Sequence, residues 1–245
     1  LKLTNGTSDV DGTLDGTGGL WINGGKLNAN VSNDSFAGTT TLDAQAVANL
    51  KEADGLGGAN ATIYFKDKDS TVTLNKSGAA DIQAKLLGEG VVEVNLGNSA
   101  NELSLSNTAN ENNFTGKLKL TNATLKLAGN NTKSLAGAGL VTDTGSKVDV
   151  AVGEQKIKAA LLNGGELAFE KLTVGDQTAS SLLSVDDLKV QNSTKITIGT
   201  VEAATAVGTL AGNVLDADNA GETDTLIKAT NKPTSPNNLY LDGVP

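Results

Sequence analysis

A glycine motif that recurs at long intervals constrains this chain more than any other feature. The pattern Leu-x-Gly-x-Gly, with its shorter variant Leu-Gly-x-Gly, stands at 14–20, 87–92 and 135–141, each time beside short strand-like segments. The motif residues are Leu14, Gly16, Gly18, Leu87, Gly88, Gly90, Leu135, Gly137 and Gly139. Repetition of this kind is typical of stacked structural units that bury surfaces against their neighbours. It predicts a β-solenoid, with the glycines at tight corners.

A second element follows the first two copies of the motif. It has an Asn ahead of Phe-x-Gly, with Asn33 before Phe36 and Gly38, and Asn112 before Phe114 and Gly116. We expect Asn33 and Asn112 to be equivalent turn positions. A longer repeat relates residues 1–7 to residues 118–124, and the two segments differ at one position of seven. Both features strengthen the prediction of a repeating coil.

Short alternating segments supply the predicted strands. Residues 71–74, 92–96, 103–105, 148–150 and 195–198 alternate apolar with polar side chains and are separated by Gly, Asn and Asp clusters. The 29 glycines and only 3 prolines suit many turns, and the 3% aromatic content implies thin core layers of Leu, Val, Ile, Ala and Thr. An antiparallel sandwich is the alternative, but the repeats favour the parallel solenoid.

The predicted architecture is all-β, a parallel β-helix of about ten to twelve rungs if each rung takes about 20 to 25 residues. One exception is a short helix predicted over residues 43–54, where an N-cap Asp precedes helix-forming residues and a terminating Gly, with an irregular loop as the alternative. We divide the chain into modules at 14–86, 87–134 and 135–208. Residues 209–245 are expected to form irregular terminal rungs, with a linker as the alternative.

The residue types that the chain lacks limit the reactions it could catalyse and the metals it could bind. The chain has no Cys, His, Met or Arg, so Ser-His and Cys-His dyads and His or Cys metal sites are excluded within it. Paired carboxylates, such as Asp186 with Asp187 or Asp9, Asp11 and Asp15, remain available for glycoside hydrolysis. Sugar enzymes usually bind their substrates on aromatic side chains, and only 3% of this chain is aromatic, so we expect no enzyme. We also expect no cofactor.

Calcium is a weaker possibility from the residue pattern. Residues 216–224 resemble the first nine positions of an EF-hand loop, with Asp216, Asp218 and Asp224 as candidate ligands. Ile227 stands where the bidentate Glu belongs. Solvated turns are therefore the preferred interpretation, and no metal is expected.

A net charge of −9 disfavours nucleic acid and anionic membranes as partners. No apolar run approaches membrane-spanning length. Because the chain starts directly in strand-like sequence, we expect it to be a segment of a longer precursor.

The order of these elements, best seen between Leu87 and Leu127, resembles the repeats of bacterial autotransporter passenger domains of the adhesin and self-association type. That resemblance implies a right-handed parallel β-helix, exported across the Gram-negative outer membrane and displayed at the cell surface, with a translocator barrel beyond Pro245. The serine-protease members need a catalytic His, which this chain lacks. A chain without Cys also suits passage through an oxidising periplasm.

The expected function is adhesion, self-association or biofilm formation through the lateral surface of the coil, with the same protein on neighbouring cells as partner. The alternatives are a passive stalk that presents another domain, and a binder of host glycan or matrix protein. For a binder, Trp21, Tyr64 and Tyr240 are the candidate aromatic contacts, and Asn33 and Asn112 are candidate polar ones. Trp21 is expected either to face outward or to cap an end rung.

Overall fold

Parallel strands stack along one axis and form a β-solenoid in this computed structural model, which describes residues 1–203, 215–216 and 224–241. The first strands are β1 (Lys2–Thr4), β2 (Thr7–Val10), β3 (Gly19–Asn23), β4 (Lys26–Ala29), β5 (Thr39–Asp43), β6 (Val47–Leu50), β7 (Thr62–Phe65), β8 (Thr71–Asn75), β9 (Ala80–Asp81), β10 (Lys85–Gly88), β11 (Val91–Asn95) and β12 (Glu102–Ser104). The later strands are β13 (Lys117–Thr121), β14 (Thr124–Leu127), β15 (Leu135–Thr142), β16 (Lys147–Val150), β17 (Gly153–Asn163), β18 (Glu166–Val174), β19 (Ser181–Asn192), β20 (Thr194–Ala203), β21 (Leu215–Asp216), β22 (Ile227–Ala229) and β23 (Leu239–Leu241). In the described part, helix is limited to α1 (Asn110–Asn113) and three 3₁₀ turns at Gly129–Asn131, Gln177–Ala179 and Pro236–Asn238.

The strands form three sheets, one on each side of the coil. The first sheet has the order β1-β3-β5-β7-β10, the long sheet β2-β4-β6-β8-β11-β13-β15-β17-β19-β22-β21, and the third sheet β23-β20-β18-β16-β14-β12-β9. Within β17 and β19 the alternation of buried and outward residues slips once, near Lys158 and Asp186. Counted as complete turns, the described coil has about seven, fewer than the ten to twelve rungs predicted, although the long sheet alone stacks eleven strands. The third sheet has only seven strands, because before Ala80 the chain crosses that side in loops.

Stacked side chains in register build the core. One interior column runs in contact order through Leu27, Ala48, Val72, Val92, Leu118, Leu140, Ala160 and Leu188. All of these residues are buried. The four phenylalanines Phe36, Phe65, Phe114 and Phe169 are also buried, so the core uses aromatic rings as well as the predicted aliphatic layers. Each rung therefore buries its apolar face only by lying on its neighbours.

The predicted helix over residues 43–54 is wrong. Ala44 and Gln45 have positive φ values of 55° and 62°, which form a corner between β5 and β6. After that corner Ala46, Ala48 and Leu50 point inward at every second position. Alanine is compatible with both a helix and a strand. The segment is a strand because β6 pairs with β4 on one side and with β8 on the other.

The repeated sequence at residues 1–7 and 118–124 forms the same type of corner in both places. Asn5 and Asn122 both adopt the left-handed conformation, with φ of 54° and 46°. Their side-chain oxygens lie beneath glycines of the next rung, since a Cβ on Gly24 would be 2.8 Å from Asn5 Oδ1 and one on Gly145 would be 2.1 Å from Asn122 Oδ1. The corner joins the first sheet to the long sheet at Asn5 and the long sheet to the third sheet at Asn122. The same local sequence thus turns two different edges of the coil.

The glycine motif and the Phe-x-Gly element are partners on adjacent rungs. Gly16 bridges to Phe36 and Gly88 to Phe114, both in parallel. Gly16 and Gly88 have positive φ, as expected for corners. Leu86, rather than the predicted Leu87, occupies the position equivalent to Leu14, and it is buried.

The later glycines serve close approach more than turning. A Cβ on Gly38 would be 1.8 Å from the carbonyl oxygen of Gly18, and one on Gly116 would be 1.9 Å from that of Gly90. In the third copy, Gly137 and Gly139 lie within β15 and have no positive φ, so the prediction of a corner there is wrong. At this point the strand crosses over Phe114 and Gly116 with a register shift between Leu135 and Gly139, and Gly139 donates its N–H to the carbonyl of Gly116.

Candidate binding surfaces

The outward side of the first sheet carries one row of large side chains. In strand order the row is Lys2, Trp21, Thr41, Tyr64 and Leu87, each in register with the next. Two strand spacings separate Trp21 from Tyr64, roughly 9.6 Å along the axis. We call these five residues the aromatic row.

Strand parity places Trp21 on this surface. Leu20 and Ile22 on either side of it are buried in the core, so Trp21 must point outward, and it is 36% exposed. Two ammonium groups lie over its ring, with Lys2 Nζ 4.3 Å and Lys66 Nζ 5.4 Å from the centroid. The outward alternative for Trp21 is therefore confirmed and the buried cap is wrong.

Charged side chains border the aromatic row. Lys66 Nζ donates to Asp43 Oδ2 at 2.6 Å, and this hydrogen bond, together with the charge of the carboxylate, raises the pKa of Lys66. Asp43 is fixed in turn, because its Oδ1 accepts the N–H of Ala44 at 2.9 Å. Lys2 forms no ion pair with any described residue. The row thus joins aromatic faces with at least one cation that is available to a ligand.

Sequence reasoning found Trp21 and Tyr64 but missed Lys2, Thr41 and Lys66. The signal that brings them together is the register between rungs. Its offsets vary along this sheet, from 19 residues between Lys2 and Trp21 to 23 between Thr41 and Tyr64. A fixed repeat length could not reveal it. Tyr240, the remaining aromatic candidate, is 49% exposed on β23 of the third sheet, away from the row.

Asn33 is a buried structural residue. Its Oδ1 accepts the backbone N–H of Leu14 at 2.6 Å, and its Nδ2 donates to the carbonyl of Gly55 at 2.7 Å. It therefore ties together three successive rungs, and with 1% of its surface exposed it offers nothing to an external partner.

The residue equivalent to Asn33 is Asn110, not the predicted Asn112. Asn110 Oδ1 accepts the N–H of Leu86 at 2.8 Å, as Asn33 does for Leu14, and Asn110 is fully buried. Its Nδ2 has no hydrogen-bond partner among the described residues. Asn112 is exposed on α1. The shift arises because α1 lengthens the path between this Asn and Phe114.

The calcium candidates do not assemble in the described residues. Asp224 is buried, and its Oδ1 accepts the N–H of Gly175 at 2.6 Å. Asp216 is buried on β21, and Asp218 lies outside the described residues. Across the described ranges, no three acidic side chains come together in a way that could hold a metal ion.

The carboxylates considered for hydrolysis make hydrogen bonds along the coil. Their partners are Asn28 Nδ2 for Asp9, Asn30 Nδ2 for Asp11, the N–H of Gly16 for Asp15, Thr230 Oγ1 for Asp186 and Asn231 Nδ2 for Asp187. All but Asp15 bond to a neighbouring rung. These contacts explain the residues as structural groups, and the absence of an enzymatic activity stays a prediction.

A second surface lies on the outward side of the long sheet. In register order it presents Asp9, Asn28, Asn49, Thr73, Glu93 and Lys119, which we call the polar row. Asn49 Nδ2 donates to Asn28 Oδ1, and Asn28 Nδ2 donates to Asp9 Oδ1, both at 2.7 Å. Lys119 Nζ pairs with Glu93 Oε1 at 2.7 Å. These contacts hold five of the six side chains of the row in defined positions, and none of them involves Thr73.

Cross-rung ion pairs line other parts of the lateral surface. They join Lys76 to Glu52, Lys126 to Glu102, Lys133 to Glu111 and Lys171 to Glu202. Exposed pairs of this kind contribute little to stability individually.

None of the helical segments among the described residues has the length and apolar character needed to cross a bilayer.

Comparison with known proteins finds a distant sequence similarity but no matching family model or solved structure. Over 137 residues the chain is 28% identical to a protein described as an uncharacterized lipoprotein, YdeK of Escherichia coli strain K12. The aligned part is 56% of this chain and 10% of that relative, so the chain corresponds to a small fraction of the relative's length.

Proposed function

We propose that this chain is a segment of an exported, surface-displayed β-helical protein that joins cells by self-association of its lateral surface. The observation that carries the proposal is the polar row, which runs in register over six strands of the long sheet. The distant relative's description as a lipoprotein supports a place in the cell envelope. The resemblance to autotransporter passenger domains supports display at the cell surface, and the strong preference for right-handed crossovers between parallel strands supports a right-handed coil.

The order of charges in the polar row suits pairing with a second copy in antiparallel orientation. A two-fold axis between Asn49 and Thr73 would set Asp9 against the partner's Lys119 and Asn28 against the partner's Glu93. Such an interface is isologous, since the same residues serve on both sides. Rods that project from two facing cells meet in this orientation. Many weak contacts would then add over many copies per cell.

The hydrogen bonds within the row favour this role over that of a passive stalk. Side chains held by cross-rung bonds lose less freedom on association than mobile ones. The Asn28 and Asn49 amides and the Glu93 carboxylate are ordered in this way before any partner arrives. A stalk requires no such order on its outer face.

Cell display with charge reversal tests the proposal. Cells that display the chain should clump, and Lys119→Glu should reduce clumping because it sets Glu against the partner's Asp9. The double variant Asp9→Lys with Lys119→Glu should restore clumping, because the two reversed charges again face each other. Lys126→Glu on the third sheet is the matched control and should clump like the parent. Loss of clumping in the double variant to the same degree as in Lys119→Glu would reject this interface.

The absence of cysteine allows an independent map of the three sides. Thr73→Cys on the long sheet, Thr62→Cys on the first sheet and Lys126→Cys on the third sheet each give one labelling site. A bulky maleimide polymer at position 73 should prevent clumping, and the other two labels should not. Equal effects at all three sites would contradict a role specific to the long sheet.

A further inference from the structure

We propose that the aromatic row of the first sheet is a binding site for an acidic glycan in an extended conformation. Trp21 and Tyr64 project from the same outward side of the first sheet, in register, with the smaller Thr41 between them. Aromatic faces of this kind pack against the apolar faces of sugar rings, and the polar edges of Trp and Tyr remain available to hydroxyls. This site lies on a different sheet from the polar row and does not depend on self-association.

The spacing of the two rings sets the conformation of the ligand. Trp21 and Tyr64 are two strands apart, roughly 9.6 Å, and the strand stacking holds that distance fixed. Alternate sugar units of an extended β-linked chain lie about this far apart. One unit would stack on Trp21, the next would cross Thr41, and the third would stack on Tyr64.

The charges around the row favour a glycan that carries carboxylates. Lys2 within the row and Lys66 and Lys85 beside it supply three cations, whereas the neighbouring Asp43 and Glu89 supply two carboxylates. Lys66 is engaged by Asp43, but Lys2 forms no ion pair with any described residue and lies 4.3 Å from the Trp21 ring. An exposed cation–π contact is weak, so the Lys2 ammonium can leave the ring for a sugar carboxylate.

The sole tryptophan makes the site observable by fluorescence. The full chain is titrated with β-1,4-linked hexamannuronate and, in parallel, with β-1,4-linked mannohexaose, which differs in lacking the carboxylates. We expect hexamannuronate to quench or blue-shift the emission and to bind about tenfold more tightly than mannohexaose, a preference that added salt reduces. No change in emission with either oligomer overturns the site, and equal affinities overturn its preference for acidic glycans.

Variants separate the site from unspecific binding. Tyr64→Ala should weaken hexamannuronate binding about tenfold, and Lys2→Gln should remove most of the preference over mannohexaose. Tyr240→Ala, which removes a more exposed ring on the third sheet, should bind like the parent chain. Trp21→Ala is followed by calorimetry and should abolish binding. Circular dichroism shows whether each variant keeps its fold, and parent-like affinity of folded Tyr64→Ala would refute the two-ring platform.

Discussion

Substitution of Gly38 by alanine tests the close approach between rungs. A Cβ at this position would be 1.8 Å from the carbonyl oxygen of Gly18 and 2.6 Å from Cζ of Phe36. Ordinary van der Waals contact begins near 3.4 Å, so the new methyl group is about 1.6 Å too close to the backbone. A change of rotamer cannot relieve this contact, because neither the Cβ nor the opposing carbonyl belongs to a rotatable side chain.

The cost follows from the two ways in which the structure can respond. Overpacking of a tight site costs roughly 1–3 kcal/mol. Separation of the rungs also weakens backbone hydrogen bonds such as that from the N–H of Ala37 to Gly16, at 2.8 Å, and each is worth about 1 kcal/mol. We therefore expect Gly38→Ala to lower the free energy of unfolding by about 3 to 4 kcal/mol.

Gly18→Ala is the matched control. A Cβ on Gly18 would meet no atom within 4 Å, and its φ is not positive. This change should leave the stability within about 0.5 kcal/mol or raise it slightly, because alanine restricts the unfolded chain. The two glycines lie on adjacent rungs, so the comparison isolates the contact between them.

Urea unfolding measures the global effect, and amide hydrogen exchange shows where it is felt. Because a solenoid unfolds in segments, loss of protection should be largest at the N–H groups of Ala37 and Thr62, which bond to neighbouring rungs on either side. If Gly38→Ala and Gly18→Ala unfold at the same urea concentration with equal protection, the close contact between Gly38 and the Gly18 carbonyl does not exist.

Three further changes test the interior hydrogen bonds. Asn33→Ala should lower the free energy of unfolding in urea by about 2 to 4 kcal/mol, because it leaves the part-buried N–H of Leu14 and the buried carbonyl of Gly55 without partners. The exposed Asn112→Ala should change little. Thr40→Val should stabilise the chain by about 1 kcal/mol, since the buried Thr40 hydroxyl has no partner in the described structure; Thr142→Val, which removes a bond to a carbonyl, should not stabilise it. Burial alone would raise the pKa of Asp67, but hydrogen bonds from the Ser70 hydroxyl and from backbone N–H groups lower it overall. Its contribution is therefore complete above about pH 4, the range of an unfolded Asp, and is lost as the pH falls further. A pH titration of the unfolding midpoint should show a larger loss in the parent than in Asp67→Asn, which keeps Asp176, whose pKa the Thr178 hydroxyl also lowers.

The solenoid could be predicted because the alternation of apolar and polar residues and the repetition of sequence motifs both arise from the stacking of rungs. The interior column that runs through Leu27, Ala48 and Val72 has one inward residue per rung, and the sequence shows this as short alternating segments. The corner at Ala44 and Gln45 could not be read in the same way. Its residues also form helices readily, and their positive φ is fixed by the neighbouring rungs.

The candidate sites were hard to predict mainly because the sequence does not show which residues of neighbouring rungs lie in register. Asn110 takes the place expected for Asn112, because α1 changes the spacing to Phe114. Trp21 and Tyr64 were identified as candidates from residue type alone. Their alignment in one row with Lys2 depends on offsets that vary between rungs, and only the structure supplies them.

Sedimentation velocity of the purified chain over a wide concentration range tests the proposed self-association most directly. We expect the parent to shift reversibly from monomer to dimer as its concentration rises, Lys119→Glu to stay monomeric, and the double variant Asp9→Lys with Lys119→Glu to regain the dimer. A parent chain that sediments as a monomer at every concentration, with no clumping of cells that display it, would contradict self-association through the polar row.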